Sequence, residues 1–184
     1  MRYSLILFSI FILFITACSA SIDMSDDPRM PSNSPDQKRI EKIDWKSFEL
    51  KDISSGKYFK INDFKDKPVL LESFAVWCPS SIRQQRATKE LHDELGENFI
   101  SISLDTDPNE NEEKVKRHIE RNGYTWWFAN SPADLTRSLI SQFGVDIVNA
   151  PQAPMILICN GQSRMLEKGV KSSEDLKKEL DKCM

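Results

Sequence analysis

Cysteine is the most reactive residue type here, and its 4 copies stand in four different settings. Cys18 closes an N-terminal apolar segment. Cys78 lies between the apolar run Val69-Leu70-Leu71 and a helix-like stretch, residues 82–95. Cys159 ends another apolar run, and Cys183 lies beside the C-terminus. Only Cys78 has the setting of a nucleophile. Where a strand hands over to a helix, a sulfur faces the positive end of the helix dipole, which favours the attacking thiolate. Pro79 fits the first helical position, where a missing N–H costs nothing. One acid stands close by in sequence. Glu72 interrupts residues 69–75, which are otherwise apolar enough for a strand covered on both faces. A charge there is costly unless paired, hydrated or protonated. A buried carboxyl has a raised pKa and suits proton exchange with a thiol. A strand turned so that Glu72 meets solvent is the alternative.

The 184 residues are enough for one domain with a proper core. Charged residues at 29% and hydrophobic ones at 40% match an ordinary soluble globular domain. A net charge of -3 leaves no basic footprint for nucleic acid. Residues 1–17 read as an export signal. Met1-Arg2 is a short positive start, and residues 5–15 form an apolar run too short to span a bilayer. Residues 18–44 are rich in Ser, Asp, Asn and Pro, and Pro28, Pro31 and Pro35 interrupt any periodic element. They read as a flexible tether. The folded domain is expected over residues 45–184.

Within it, Trp45-Lys46-Ser47-Phe48-Glu49-Leu50 alternates as a half-buried strand does. A turn at Ser54-Ser55-Gly56-Lys57 returns it through Tyr58-Phe59-Lys60-Ile61. Residues 69–75 form the central strand. Ile82, Ala87, Leu91 and Leu95 mark the apolar stripe of a helix. Arg83 and Arg86 fall in its first turns, either raising the positive potential near Cys78 or forming a solvated face. His92 reads as exposed. Residues 98–104 form a strand, and Asp107-Pro108-Asn109-Glu110 has the grammar of a helix start, with a stop at Gly123. The neighbouring acids lack the loop glycine and closing Glu of a calcium loop, so no metal or cofactor is expected. Tyr124-Thr125-Trp126-Trp127-Phe128 reads as a core strand, and Ser131-Pro132-Ala133-Asp134 as another helix start. Met155-Ile156-Leu157-Ile158 is a strand after Pro151 and Pro154. Asn160-Gly161 signals a hairpin, residues 162–167 an edge strand, and Ser172-Ser173-Glu174-Asp175 the cap of a last helix.

Trp77-Cys78-Pro79-Ser80-Ser81 resembles the Trp-Cys-x-x-Cys site of the thioredoxin superfamily, and the chain as a whole is similar to the membrane-tethered TlpA and ResA group. The match runs from about Trp45 onward. It rests on Trp-Cys at a strand–helix join, an acid six residues upstream, an extra strand and helix, and a proline before a strand. The resemblance implies an α/β thioredoxin-like fold, a central mixed sheet flanked by helices, with an N-terminal β-hairpin and a central strand–helix insert. It implies that Glu72 is the buried acid beneath the site and that Pro154 is the family's cis-proline, with Pro151 the competing candidate. It places Ala153 where substrate pairs with the backbone, and Trp77 and Pro79 beside the bound chain. One departure matters: the second cysteine of the pattern is Ser81 here, whose hydroxyl is positioned to donate to the Cys78 thiolate. In this topology Cys159 and Cys183 arrive together at the far side from Cys78, which predicts a structural disulfide, with two free thiols as the alternative. Ile15-Thr16-Ala17-Cys18 resembles a lipobox, which implies lipidation at Cys18 and a domain facing outward from the cell membrane. An uncleaved anchor or a conventional signal remains open.

Three functions fit these residues. The first is a monothiol oxidoreductase acting on protein or small-molecule thiols and disulfides through Cys78, Ser81 and Glu72, as a monomer, with an external resolving thiol. The second is a binding module of the same fold. The third is a thiol peroxidase, which Leu71 and Ala75 disfavour because peroxiredoxins carry Pro and Thr there.

Overall fold

The computed structural model describes residues 44–183. The expected export signal, the expected lipidation site Cys18 and the expected tether up to residue 43 lie outside the described residues. Among those described, no helix is long and apolar enough to cross a membrane.

A short hairpin, β1 (Leu50–Lys51) with β2 (Tyr58–Phe59), precedes a five-stranded sheet. The sheet comprises β3 (Val69–Phe74), β4 (Ile100–Asp105), β5 (Trp127–Asn130), β6 (Met155–Cys159) and β7 (Gln162–Met165). Its order is β5-β4-β3-β6-β7. β3, β4 and β5 run parallel, while β6 and β7 are antiparallel to their neighbours. The helices are α1 (Pro79–Leu95), α2 (Glu112–Asn122), α3 (Ala133–Phe143) and α4 (Ser173–Asp181). This is the thioredoxin-like fold, with β5 and α3 as the extra strand and helix.

The pleat sorts the side chains of β3. Val69 and Leu71 join Ile102, Leu104, Ile156, Leu135 and Leu139 beneath α3. Leu70 faces the other way, with Leu91 of α1 and Leu176 and Leu180 of α4. Glu72 shares that second face by alternation. Burying such side chains stabilises by about 1.5–3 kcal/mol each.

Several expectations shift. Trp45 to Ser47 is a 3-10 turn capped by Asp44, and strand pairing begins only at Leu50. Trp45 uses the turn to pack edge-on against Phe143, 5.5 Å between centroids. α2 starts at Glu112, not Pro108, because Asn111 accepts from Lys114 N and caps it. β5 begins at Trp127, so Tyr124 and Trp126 reach the core from a loop. The Asn160-Gly161 turn has both residues at positive φ, 49° and 79°, as a type I′ hairpin requires.

Candidate functional site

Strand β3 ends at Phe74, and four residues later Cys78 is the N-cap of α1, with Pro79 in its first turn. Cys78 N–H donates to Ala75 O at 3.0 Å, closing the turn between strand and helix. Two acids pin this turn from β4's exit loop. Val76 N–H donates to Glu110 Oε2 at 2.7 Å, and the Trp77 indole donates to Asp107 Oδ2 at 2.6 Å. Glu110 is ion-paired with Lys114 at 2.6 Å. Trp77 is thereby held outward, 57% exposed, while the Cys78 beside it is 1% exposed. Pro79 is exposed next to it. A groove of about 500 Å³ runs past Trp77, lined also by Ala75, Asp107, Pro108, Ala150 and Pro151.

The cover over Cys78 comes from the far end of the chain. After α3, two 3-10 turns, Val145–Val148 and Ala150–Gln152, lead to Ala153, which adopts φ 43° and ψ 59°. Ala150 packs on Cys78 and Ala75. Here the structure corrects the cis-proline reading. No peptide bond is cis among the described residues. Ala153, before Pro154, lies instead in the left-handed region, a conformation costly for any residue with a Cβ. Pro154 is buried, and its carbonyl accepts from Ser73 N–H at 3.2 Å. Pro151, not Pro154, lines the groove. Ala153 is also fully covered: its N–H donates to Ala150 O at 2.9 Å and its carbonyl accepts from Lys171 Nζ at 3.0 Å. Neither Ala153 nor Pro154 is open to a substrate in this conformation.

Beneath α1 lies a layer of buried polar groups. The helix turns Ser81, Gln84, Gln85 and Thr88 inward with Leu91, while Ile82 of the expected stripe is only half-buried. β4 presents Ser101, Ser103 and Asp105 to the same space. Glu72 is 2% exposed, which rejects the solvent-facing alternative. Its Oε2 accepts from Ser103 Oγ at 3.2 Å, and Ser103 accepts from the Trp126 indole at 3.0 Å. Burial pushes its pKa up from 4.5 to about 8, against the pull of Ser103, Gln85 and the Lys171 charge. Glu72 Oε1 and Ser81 Oγ are buried without hydrogen-bond partners. The expected Ser81–Cys78 hydrogen bond is therefore not made. The Gln85 amide faces Glu72 without hydrogen-bond geometry, its Nε2 unpartnered, while its Oε1 accepts from His118 Nε2 at 2.6 Å. Asp105, likewise buried, is pushed up to about 7 by burial and by the neighbouring Glu110 and Asp107 carboxylates.

Other expected residues fall elsewhere. Arg83 and Arg86 are both exposed, and Arg83 bonds Ser80 Oγ at 3.1 Å. His92 is not an exposed residue: its ring stacks on Phe99 at 4.4 Å and Trp126 at 5.3 Å and meets Ser101 Oγ at 3.0 Å. Burial pushes its pKa down. Cys159 and Cys183 are bonded, Cα atoms 5.5 Å apart. Cys159 follows Ile158, which pairs with Val69 at the start of β3, so the bridge lies at the opposite end of the sheet from Cys78. Cys78 is the one free cysteine among the described residues. Sequence reasoning missed Lys171 and Gln84. The one signal for Lys171 was a cation directly before the Ser172 cap of α4, which alone says nothing about the site.

A free cysteine at the mouth of α1, a buried acid on the central strand and a loop packed over the cysteine define a thioredoxin-like protein. The Redoxin family model matches residues 35–178, and the chain belongs to that family. Comparison with curated proteins returns no match. Solved structures share the fold. A thiol:disulfide interchange protein of the thioredoxin family from Chlorobium tepidum TLS is 18% identical, covering 74% of this chain and 92% of that one, TM-score 0.58. The pneumococcal exposed lipoprotein thioredoxin of Streptococcus pneumoniae is 20% identical over 73% and 98%, TM-score 0.57. A secreted Mycobacterium tuberculosis disulfide oxidoreductase is 12% identical over 75% and 97%, TM-score 0.61.

Proposed function

We propose that the chain is an exported, lipid-anchored thiol–disulfide oxidoreductase that works through Cys78 alone. One observation carries the reading: a free cysteine caps α1 beside an exposed Trp77 and an open groove. Membership of the Redoxin family and the oxidoreductase descriptions of its structural neighbours support it. In the first step the Cys78 thiolate attacks a substrate disulfide. A Cys78–substrate S–S bond forms, the old bond breaks, and the departing sulfur leaves with the electron pair and takes up a proton. Ser81 has no thiol to expel the product. An external thiolate that attacks the substrate sulfur restores Cys78 and completes an exchange. Attack on the Cys78 sulfur instead frees the substrate reduced, and a second external thiol restores Cys78. Glu72, protonated at neutral pH because burial raises it to about 8, brings a proton to the site rather than a repelling charge.

Anchoring through Cys18 rests on the apolar run and the Ile15-Thr16-Ala17-Cys18 sequence. The mass of the processed N-terminus tests it: a lipidated Cys18 supports the anchor, and an unmodified chain beginning elsewhere removes it.

A binding module is the second reading, favoured by the 1% exposure of Cys78 and by the internally satisfied backbone of Ala153. Peptide mapping after incubation with a disulfide-bonded peptide separates the two. Oxidoreductase function predicts an adduct on Cys78 that added thiol removes. A chain that binds the peptide without an adduct is a binding module.

A further inference from the structure

Lys171 joins α1, the loop over Cys78 and the segment that leads into α4. Its backbone is bolted to α1: Lys171 N–H donates to Gln84 Oε1 at 2.8 Å, and Gln84 Nε2 donates back to Lys171 O at 3.3 Å. Its ammonium donates to Ala153 O at 3.0 Å and to Gly169 O at 2.6 Å. Among the described residues, no other side chain hydrogen-bonds to residues 148–153. The charge also faces buried Glu72, and each acts on the other. Burial pushes the lysine down from 10.5 to about 8. A half-buried cation is a costly way to fill space. What it supplies is a charge-assisted hydrogen bond to the left-handed residue that ends the Cys78 cover.

Resting on the oxidoreductase reading, we propose that Lys171 is a positioning residue: its ammonium ties residues 150–153 down over Cys78, and release of the Ala153 carbonyl exposes the thiol. The cover is otherwise light. Ala150 presents a single methyl to Cys78, and Gly169 N–H holds Gln152 O at 2.8 Å. A loop held by so few bonds opens locally without unfolding the sheet.

The test is the rate at which iodoacetamide alkylates Cys78 in the full chain, read from the Cys78 peptide, for the native protein, Lys171→Met and Lys171→Arg. Losing one charge-assisted hydrogen bond should speed alkylation by about ten-fold or more in Lys171→Met, at a rate insensitive to low urea. Lys171→Arg, which keeps a cation and N–H donors on a long stem, should stay within about three-fold of the native rate. Equal rates in the native chain and Lys171→Met overturn the proposal. So does a Lys171→Met rate that climbs with urea in step with global unfolding, or a Lys171→Arg rate as fast as that of Lys171→Met. Should Lys171→Met fail to fold, Lys171→Gln, too short to reach Ala153, replaces it with the same expected outcome. Alkylation needs no disulfide substrate, so a Cys78 that forms no mixed disulfide would refute the function and leave this ratio to stand or fall separately.

Discussion

Glu72→Gln should change how stability depends on pH. The native carboxyl titrates near about 8 instead of its ordinary 4.5, chiefly because burial disfavours its charge. Between those values the native state holds a proton that the unfolded chain has released. Stability therefore falls as pH rises from about 4.5 through about 8. At about 1.4 kcal/mol per pKa unit, the full fall is on the order of 4–5 kcal/mol. Lys171 acts in the opposite sense and higher up. Its native pKa of about 8 lies below its ordinary 10.5, so it restores stability only above about 8. Between pH 5 and 8 Asp105 titrates in parent and variant alike, so the difference between the two curves isolates Glu72. Urea midpoints followed by far-UV circular dichroism at pH 5, 6, 7 and 8 give both curves. Glutamine cannot ionise, so its curve lacks this fall, and the variant gains several kcal/mol on the parent across the window. Parallel curves would refute the burial of an ionisable carboxyl at this position.

Three further outcomes follow from the same geometry. Reducing the Cys159–Cys183 bridge, 24 residues apart, should cost about 3.5 kcal/mol by loop-closure entropy and lower the melting temperature by roughly 10 °C; calorimetry with and without reductant checks this, and no change would make the bridge energetically idle. Asp105→Asn should flatten the pH dependence of stability between about 4 and 7, where native Asp105 keeps a proton that the unfolded chain loses, and urea midpoints at pH 4.5 and 7 measure it. Cys78→Ala should abolish the mixed disulfide while costing only about 1 kcal/mol, since one small buried atom is lost, as mass spectrometry and urea titration would show.

The sequence made the strands legible where apolar runs were long, as in Val69–Phe74 and Met155–Cys159, and the Cys78–Pro79 helix start where proline chemistry marks it. It misled wherever polar meant buried. In Ile100–Asp105 the alternating Ser101, Ser103 and Asp105 look like a solvent face, yet all three are buried, Ser101 against His92 of α1, Ser103 against Glu72 and Trp126, and Asp105 against Asn130. Local pattern cannot report which polar groups another element will bury. The same holds for Lys171, whose partner at Ala153 is 18 residues away and belongs to another element. The covering loop was legible by its prolines, but not which of them lines the groove. That depended on the left-handed Ala153, a conformation no alanine announces.

Oxidoreductase function through Cys78 requires disulfide exchange from the native state. The direct measurement is the rate of mixed-disulfide formation at Cys78 with a model peptide disulfide, across urea concentrations below the unfolding transition. Native-state exchange predicts a rate that stays flat with urea, followed by full recovery of the thiol on adding an external thiol. A rate that vanishes in the absence of urea and rises only in proportion to the unfolded fraction would contradict it.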